Sequence, residues 1–94
     1  MDISFDPAKN ERNIAERGLS FSLAELFDWS SALIVEDVRK DYGERRFRAL
    51  GFIENRLFAL VFTPRADRIH VISLRKANQR EVRLYEQETQ SRKG

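Results

Sequence analysis

The spacing of apolar positions changes along the chain, and each change predicts an element. Ile3-Ser4-Phe5 alternates apolar and polar and is followed at once by Asp6-Pro7, an N-cap and a first-turn proline. That order predicts a short strand, then a helix from Pro7 to about Arg17, ended by Gly18 in a left-handed conformation. Ser22 with Glu25 three residues later matches a capping box and predicts a short second helix with Leu23, Leu26 and Phe27 on one face, closed by Trp29 and Ser30-Ser31. The period then turns from helical to extended. Residues 32–38, rich in β-branched side chains, predict a strand, and the charged run from Glu36 to Glu44 reads as a loop or hairpin turn.

Arg45 to Ile53 alternates, with Phe47, Ala49, Gly51 and Ile53 on one face and Arg46, Arg48, Leu50 and Phe52 on the other. A turn at Glu54-Asn55 leads into Arg56 to Phe62, apolar on both faces and so expected at the centre of the sheet. Pro64 to Asp67 predicts another turn, and Arg68 to Leu74 returns as a strand. Such short turns imply antiparallel neighbours. From Lys76 the period is helical again, with Ala77, Glu81, Leu84 and Tyr85 along one thin apolar stripe and Arg80, Arg83 and Gln87 on the charged remainder. A helix with so narrow an apolar face must dock on something to persist. The expected class is α+β: two N-terminal helices, an antiparallel β-sheet of about four strands and a C-terminal helix.

With 94 residues and no internal repeat or Pro/Gly-rich seam, the whole chain reads as a single domain spanning 1–94. No stretch approaches the roughly 18–20 apolar residues of a membrane helix, and the N-terminus lacks the regions of a secretory signal, so the cytoplasm is the expected location and no membrane partner is expected. No cysteine is present, so disulfides are excluded. His70 is the only histidine and no close-set trio of His and carboxylates occurs, so neither a metal nor another cofactor is expected.

The formal charge of +2 conceals a segregation. Residues 1–44 carry five basic against ten acidic side chains, a balance of −5, whereas residues 45–94 carry twelve against five, a balance of +7. Thirteen of the seventeen basic residues are arginine, whose planar fork suits phosphate. Alternation puts Arg46 and Arg48 on one strand face, and Arg68 and His70 on one face of the last strand, with Arg65 in the preceding turn and Arg75 at the strand's end. If the two faces coincide, five arginines and a histidine converge on a surface able to neutralise phosphates and to stabilise a pentacoordinate phosphorane. Without that convergence, the same arginines serve only to keep a sheet soluble.

The unperturbed pKa of histidine lies near neutrality, so His70 needs no large shift to act and is a candidate general acid or base, or else a packed, hydrogen-bonded residue. Glu44, Glu81 and Tyr85 are further proton-transfer candidates, although Glu81 can equally pair with an arginine and Tyr85 can be core. Lys9 is either a solvated lysine or a phosphate contact. Trp29 and Phe52 are candidates for stacking on a base, worth roughly 1–3 kcal/mol where it occurs, or for an apolar patch against a partner chain.

Four ordered segments carry a resemblance: Phe5-Asp6-Pro7-Ala8-Lys9-Asn10 with Asn13; Arg17-Gly18 with Ser20-Phe21; Asp41-Tyr42-Gly43-Glu44-Arg45-Arg46-Phe47 with Gly51; and Arg68 to Ala77 leading to Arg80-Glu81 and Tyr85-Glu86. Together they resemble the BrnT family of bacterial toxins over nearly the whole chain. The position before Gly18 is often His in that family and is Arg17 here, and Ser73-Leu74-Arg75 stands where Ser-Ala-Arg is usual, so no mechanism should depend on residue 17. The resemblance implies a ribonuclease toxin of a type II toxin–antitoxin pair with a RelE-like fold. It further implies inhibition by a ribbon-helix-helix antitoxin, BrnA-like, and contact with promoter DNA only through that antitoxin. Arg45, Arg46, Arg68, Arg75, Arg80 and Glu81, with Lys9, are the positions carried over.

The resulting expectation is an endoribonuclease that cleaves RNA by metal-independent attack of the 2′-hydroxyl and so inhibits translation and growth. Glu81, His70, Arg75, Arg68 and Arg46 are its expected catalytic residues, and Lys9, Arg45, Arg48, Arg65 and Arg80 its RNA contacts. The alternative is a non-catalytic nucleic-acid-binding or protein-interaction module.

Overall fold

In the computed structural model, which describes residues 2–93 and the side chains of residues 2–90, the alternating segments pair into one five-stranded sheet. The elements run β1 (Ile3–Phe5), α1 (Pro7–Arg17), two 3-10 turns (Phe21–Leu26 and Trp29–Ser31), β2 (Leu33–Asp37), β3 (Arg46–Ile53), β4 (Arg56–Arg65), β5 (Arg68–Lys76) and α2 (Gln79–Lys93). The strand order is β1-β5-β4-β3-β2, with β1 parallel to β5 and every other pair antiparallel. β4, apolar on both sides, lies in the middle.

The expectation of two N-terminal helices over about four antiparallel strands, and with it the implied RelE-like arrangement, is corrected on two counts. First, the sheet is mixed and has a fifth strand, because Ile3–Phe5 adds to the free edge of β5 after the chain crosses over through α1. Second, residues 21–26 form a 3-10 turn and not a second α-helix. Asn10 Oδ1 accepts from the Phe21 amide at 2.7 Å and fixes where the turn begins, and Ser20, not Ser22, is its cap. Phe27 must then leave in extended conformation to bury its ring, so only six residues remain, too few to offset the cost of nucleating an α-helix. β4 also runs on through Pro64 to Arg65, which shortens the expected turn.

Each face of the sheet carries its own core. On one side Phe21, Phe27, Phe58, Leu60, Phe62, Val71 and Leu74 are buried, with Trp29 edge-on to Phe27 and Phe62 at ring-centroid distances of 4.8 and 5.2 Å. Full burial of such side chains is worth about 1.5–3 kcal/mol each. On the other side Leu57, Ala77 and Tyr85 pack with Leu33, Leu50, Phe52 and Val82. Tyr85 fastens α2 there, its ring edge-on to Phe52 and its hydroxyl donating to the Ser31 carbonyl at 2.7 Å. Leu84, expected on the buried stripe, is 45% exposed.

α1 is held by amides more than by apolar contact, since Asn13 is its only buried residue. Asn13 Nδ2 donates to the Leu74 carbonyl at 3.0 Å and to the Leu19 carbonyl at 2.9 Å, closing the part of the β5 edge that β1 is too short to reach.

Candidate functional site

Strand register decides which side chains share a face. One row runs Val35, Arg48, Val61, Ser73 across β2, β3, β4 and β5, and the next runs Leu33, Leu50, Ala59, Arg75. Both lie on the α2 side of the sheet. Because α2 covers only the end of that face around Leu50 and Phe52, the rows of Arg48 and Arg75 floor an open groove of about 390 Å³. Leu33, Val35 and Leu84 supply its apolar lining, and Arg80 and Glu81 reach it from the first turn of α2. The face of Arg46 and Arg48 and that of His70 therefore coincide, but the expected convergence of five arginines and the histidine is not found: of that set only Arg48 and Arg75 line the groove.

The charges in the groove differ in how they are held. Arg75 donates from Nη1 to Glu81 Oε1 at 2.7 Å and from Nη2 to Oε2 at 2.9 Å, a two-pronged pair that fixes the guanidinium plane. Glu81 is itself held, since its Oε1 accepts from the Asn78 amide at 3.0 Å while Asn78 Oδ1 accepts from the Glu81 amide at 2.9 Å. This reciprocal pair is a capping box that starts α2. Asn78 was missed in the sequence reading, although Asn78 followed by Glu81 three residues on is the pattern that announces it. The bonds from Arg75 and Asn78, with the nearby positive charge of Arg48, hold the Glu81 carboxyl below its ordinary pKa, and Glu81 in turn raises that of Arg75. Arg48 and Arg80 form no ion pair among the described residues.

His70 lies on the same face farther along β5, opposite Thr63 on β4 and Ser4 on β1. Its Nδ1 is 2.9 Å from Ser4 Oγ. Burial, together with the positive charges of Arg65 and Lys9, pushes its pKa down, against the opposing pull of Glu44 and Asp6. Arg46 also faces this way, its guanidinium 4.0 Å above the Tyr42 ring and its buried Nε without a hydrogen-bond partner. Tyr42 is set by Asp37, which accepts its hydroxyl at 3.2 Å and pairs with Arg39 at 2.9 Å; the Arg39 bond keeps the Asp37 carboxyl far below its usual pKa.

The other expected site residues spread outward. Lys9 lines a shallow depression with Arg12, and Ser73 lines both that depression and the groove, so α1 brings its cations to the groove's margin. Arg65 and Arg68 oppose each other at the far end of β4 and β5, paired with Glu44 at 3.4 Å and Asp67 at 3.8 Å. Arg45 is turned away, bound to Glu36 at 3.0 Å with its guanidinium over Phe47. Trp29 and Phe52, considered for base stacking, are engaged in packing against Phe62 and Tyr85.

No helix among the described residues is long and apolar enough to cross a membrane, and no three of their His, Asp and Glu side chains gather as a metal site. Among curated proteins, none matches the chain. Residues 5–81 match the family model described as ribonuclease toxin, BrnT, of type II toxin–antitoxin system. That span holds the whole floor of the groove together with Arg80 and Glu81, and the chain therefore belongs to the BrnT family of ribonuclease toxins of type II toxin–antitoxin systems.

Proposed function

We propose that the chain cleaves RNA in the Arg48–Arg75–Arg80 groove without a metal ion, and acts in the cytoplasm to stop translation and growth until an antitoxin of the ribbon-helix-helix type, which alone contacts promoter DNA, binds it. The observation that carries this reading is a groove holding two cations free of ion pairs among the described residues beside a third whose plane is fixed. The 2′-oxygen of one ribose attacks the adjacent phosphorus, the bond from phosphorus to the 5′-oxygen breaks, and the products are a 2′,3′-cyclic phosphate and a 5′-hydroxyl. Arg48 and Arg80 hold the substrate phosphates. Arg75, preorganised by Glu81, meets the charge that builds on the phosphorane oxygens, where such a donor is worth about 3–4 kcal/mol.

His70, on the same face beyond the groove's lining, is given the proton-acceptor role, so the scheme requires the scissile ribose to extend along β5 toward Thr63. Its lowered pKa favours the neutral imidazole, and the scheme uses the tautomer in which Nδ1–H donates to Ser4 Oγ and the lone pair stands on Nε2. It takes the 2′-hydroxyl proton, and a water molecule gives a proton to the departing 5′-oxygen, its hydroxide being neutralised by the proton His70 took up. Arg46 extends the same positive face.

The test is cleavage of a defined RNA by the purified chain in excess chelator, with the ends identified. Unimpaired cleavage leaving cyclic phosphates is expected. Loss of cleavage with chelator, or 3′-hydroxyl ends, overturns the mechanism, and binding without turnover favours a non-catalytic RNA-binding module.

A further inference from the structure

The two edges of the sheet are finished differently. At one, β1 is only three residues long and Asn13 of α1 takes the carbonyl beyond it. At the other, β2 is the outermost strand, and no element among the described residues hydrogen-bonds to its outer side. Natural edges of this kind are guarded by charge, because unpaired N–H and C=O groups invite another strand. Here the guards are spent internally: Glu36 is bound by Arg45 and Asp37 by Arg39. What remains outward is apolar, with Ile34 42%, Val35 47% and Val38 79% exposed.

We propose that the outer edge of β2 receives an extended, acidic segment of the antitoxin as an added strand, and that this segment places carboxylates on Arg48 and Arg80 of the adjoining groove. The proposal rests on the protein antitoxin that a type II family implies, not on the cleavage chemistry. Charge selects the acidic segment, because Val35 lines the groove beside the cations that lack ion-pair partners among the described residues. An added strand lies about 10 Å from β3, two strand spacings, which a glutamate and an arginine side chain span between them. Apolar exposure and an open backbone edge favour a polypeptide over RNA, which has no peptide groups to complete a ladder and gains nothing from Ile34 or Val38. A short edge alone buries less than the roughly 1,200–2,000 Å² of a stable complex, so the segment must continue past the exposed Leu84 into the groove. Occupied in this way, the groove is closed to substrate.

The test uses the full chain, free and coexpressed with the antitoxin of the same pair, and follows backbone amide hydrogen exchange residue by residue. Amides of residues 33–38 are expected to slow by about tenfold or more in the complex. The double variant Ile34→Asp, Val38→Asp, at positions 42% and 79% exposed, is expected to keep a cooperative melting transition and its RNA cleavage while binding antitoxin about tenfold or more weakly. Arg48→Glu, which also touches the RNA groove, is expected to weaken antitoxin binding further. Unchanged β2 exchange in the complex, undiminished antitoxin binding by the double variant, or protection of β2 by RNA instead of antitoxin overturns the proposal. None of those results bears on whether the chain cleaves RNA, which is read separately from the products.

Discussion

A carboxylate whose oxygens already accept three hydrogen bonds from cationic and amide donors is a poor proton acceptor, and Glu81 is in that position. Its contribution to turnover is to hold Arg75 and to start α2. Glu81→Gln keeps the capping geometry but weakens the grip on Arg75, so kcat is expected to fall about tenfold, the value of one charge-assisted hydrogen bond, with the shape of the pH profile retained. Arg75→Ala removes the stabilising cation itself and is expected to cost about 10²–10³ in kcat. The acid limb belongs to His70. A base works when deprotonated, and its folded pKa is lowered, so the rate should rise with pH through a midpoint below the ordinary histidine value of about 6.5 and then level off. Pre-steady-state cleavage measured from pH 4 to 8 checks this. Glu81→Gln abolishing that limb, or His70→Gln preserving it at full rate, would return the proton-transfer role to Glu81.

At the scale of elements, close approach explains more than propensity does. Phe27 leaves its 3-10 turn to lie directly against Gly51 of β3, where an added methyl group would collide with the ring. Gly51→Ala is expected to destabilise the fold by about 1–3 kcal/mol, the range for forced overpacking, read as a lowered denaturation midpoint with an unchanged slope. An unchanged midpoint would mean that the ring has room to move. The strands were legible because alternation is local: the two faces read from Arg45 to Ile53 separate into the two cores, with Ala49 and Ile53 in one and Leu50 and Phe52 in the other. The first strand's parallel pairing was not legible, since it depends on which distant edge stays free, and neither was the 3-10 turn, which a hydrogen bond from eleven residues upstream imposes. Ser22 and Glu25 have the spacing of a capping box that Asn10 overrides, whereas Asn78 and Glu81, with the same spacing, form one that orders an arginine of the groove.

Across the whole molecule, folding cancels much of the charge segregation that the linear sequence displays. The acidic first half supplies Glu36 to Arg45 and Glu44 to Arg65, so two of the basic half's arginines are neutralised on opposite sides of the sheet. What survives in the groove is Arg48 and Arg80, with Arg75 half-committed to Glu81 and Lys9 at the margin. Net charge by halves therefore overstates the number of phosphate contacts, and the register of β3 on β4 and β5 names the ones that count. Affinity for single-stranded RNA depends on salt with a logarithmic slope of about −0.7 per phosphate neutralised. Three to four contacts give an expected slope of about −2 to −3, far shallower than twelve free basic side chains would give. Arg48→Ala should make that slope shallower by about 0.7, while Arg45→Ala, removing a cation already bound to Glu36 on the far face, should leave it unchanged. Equilibrium binding of a non-cleavable RNA, titrated from low to high salt for wild type and both variants, separates the two. Equal changes for Arg45 and Arg48 would mean that RNA senses the overall charge of the chain and not the groove.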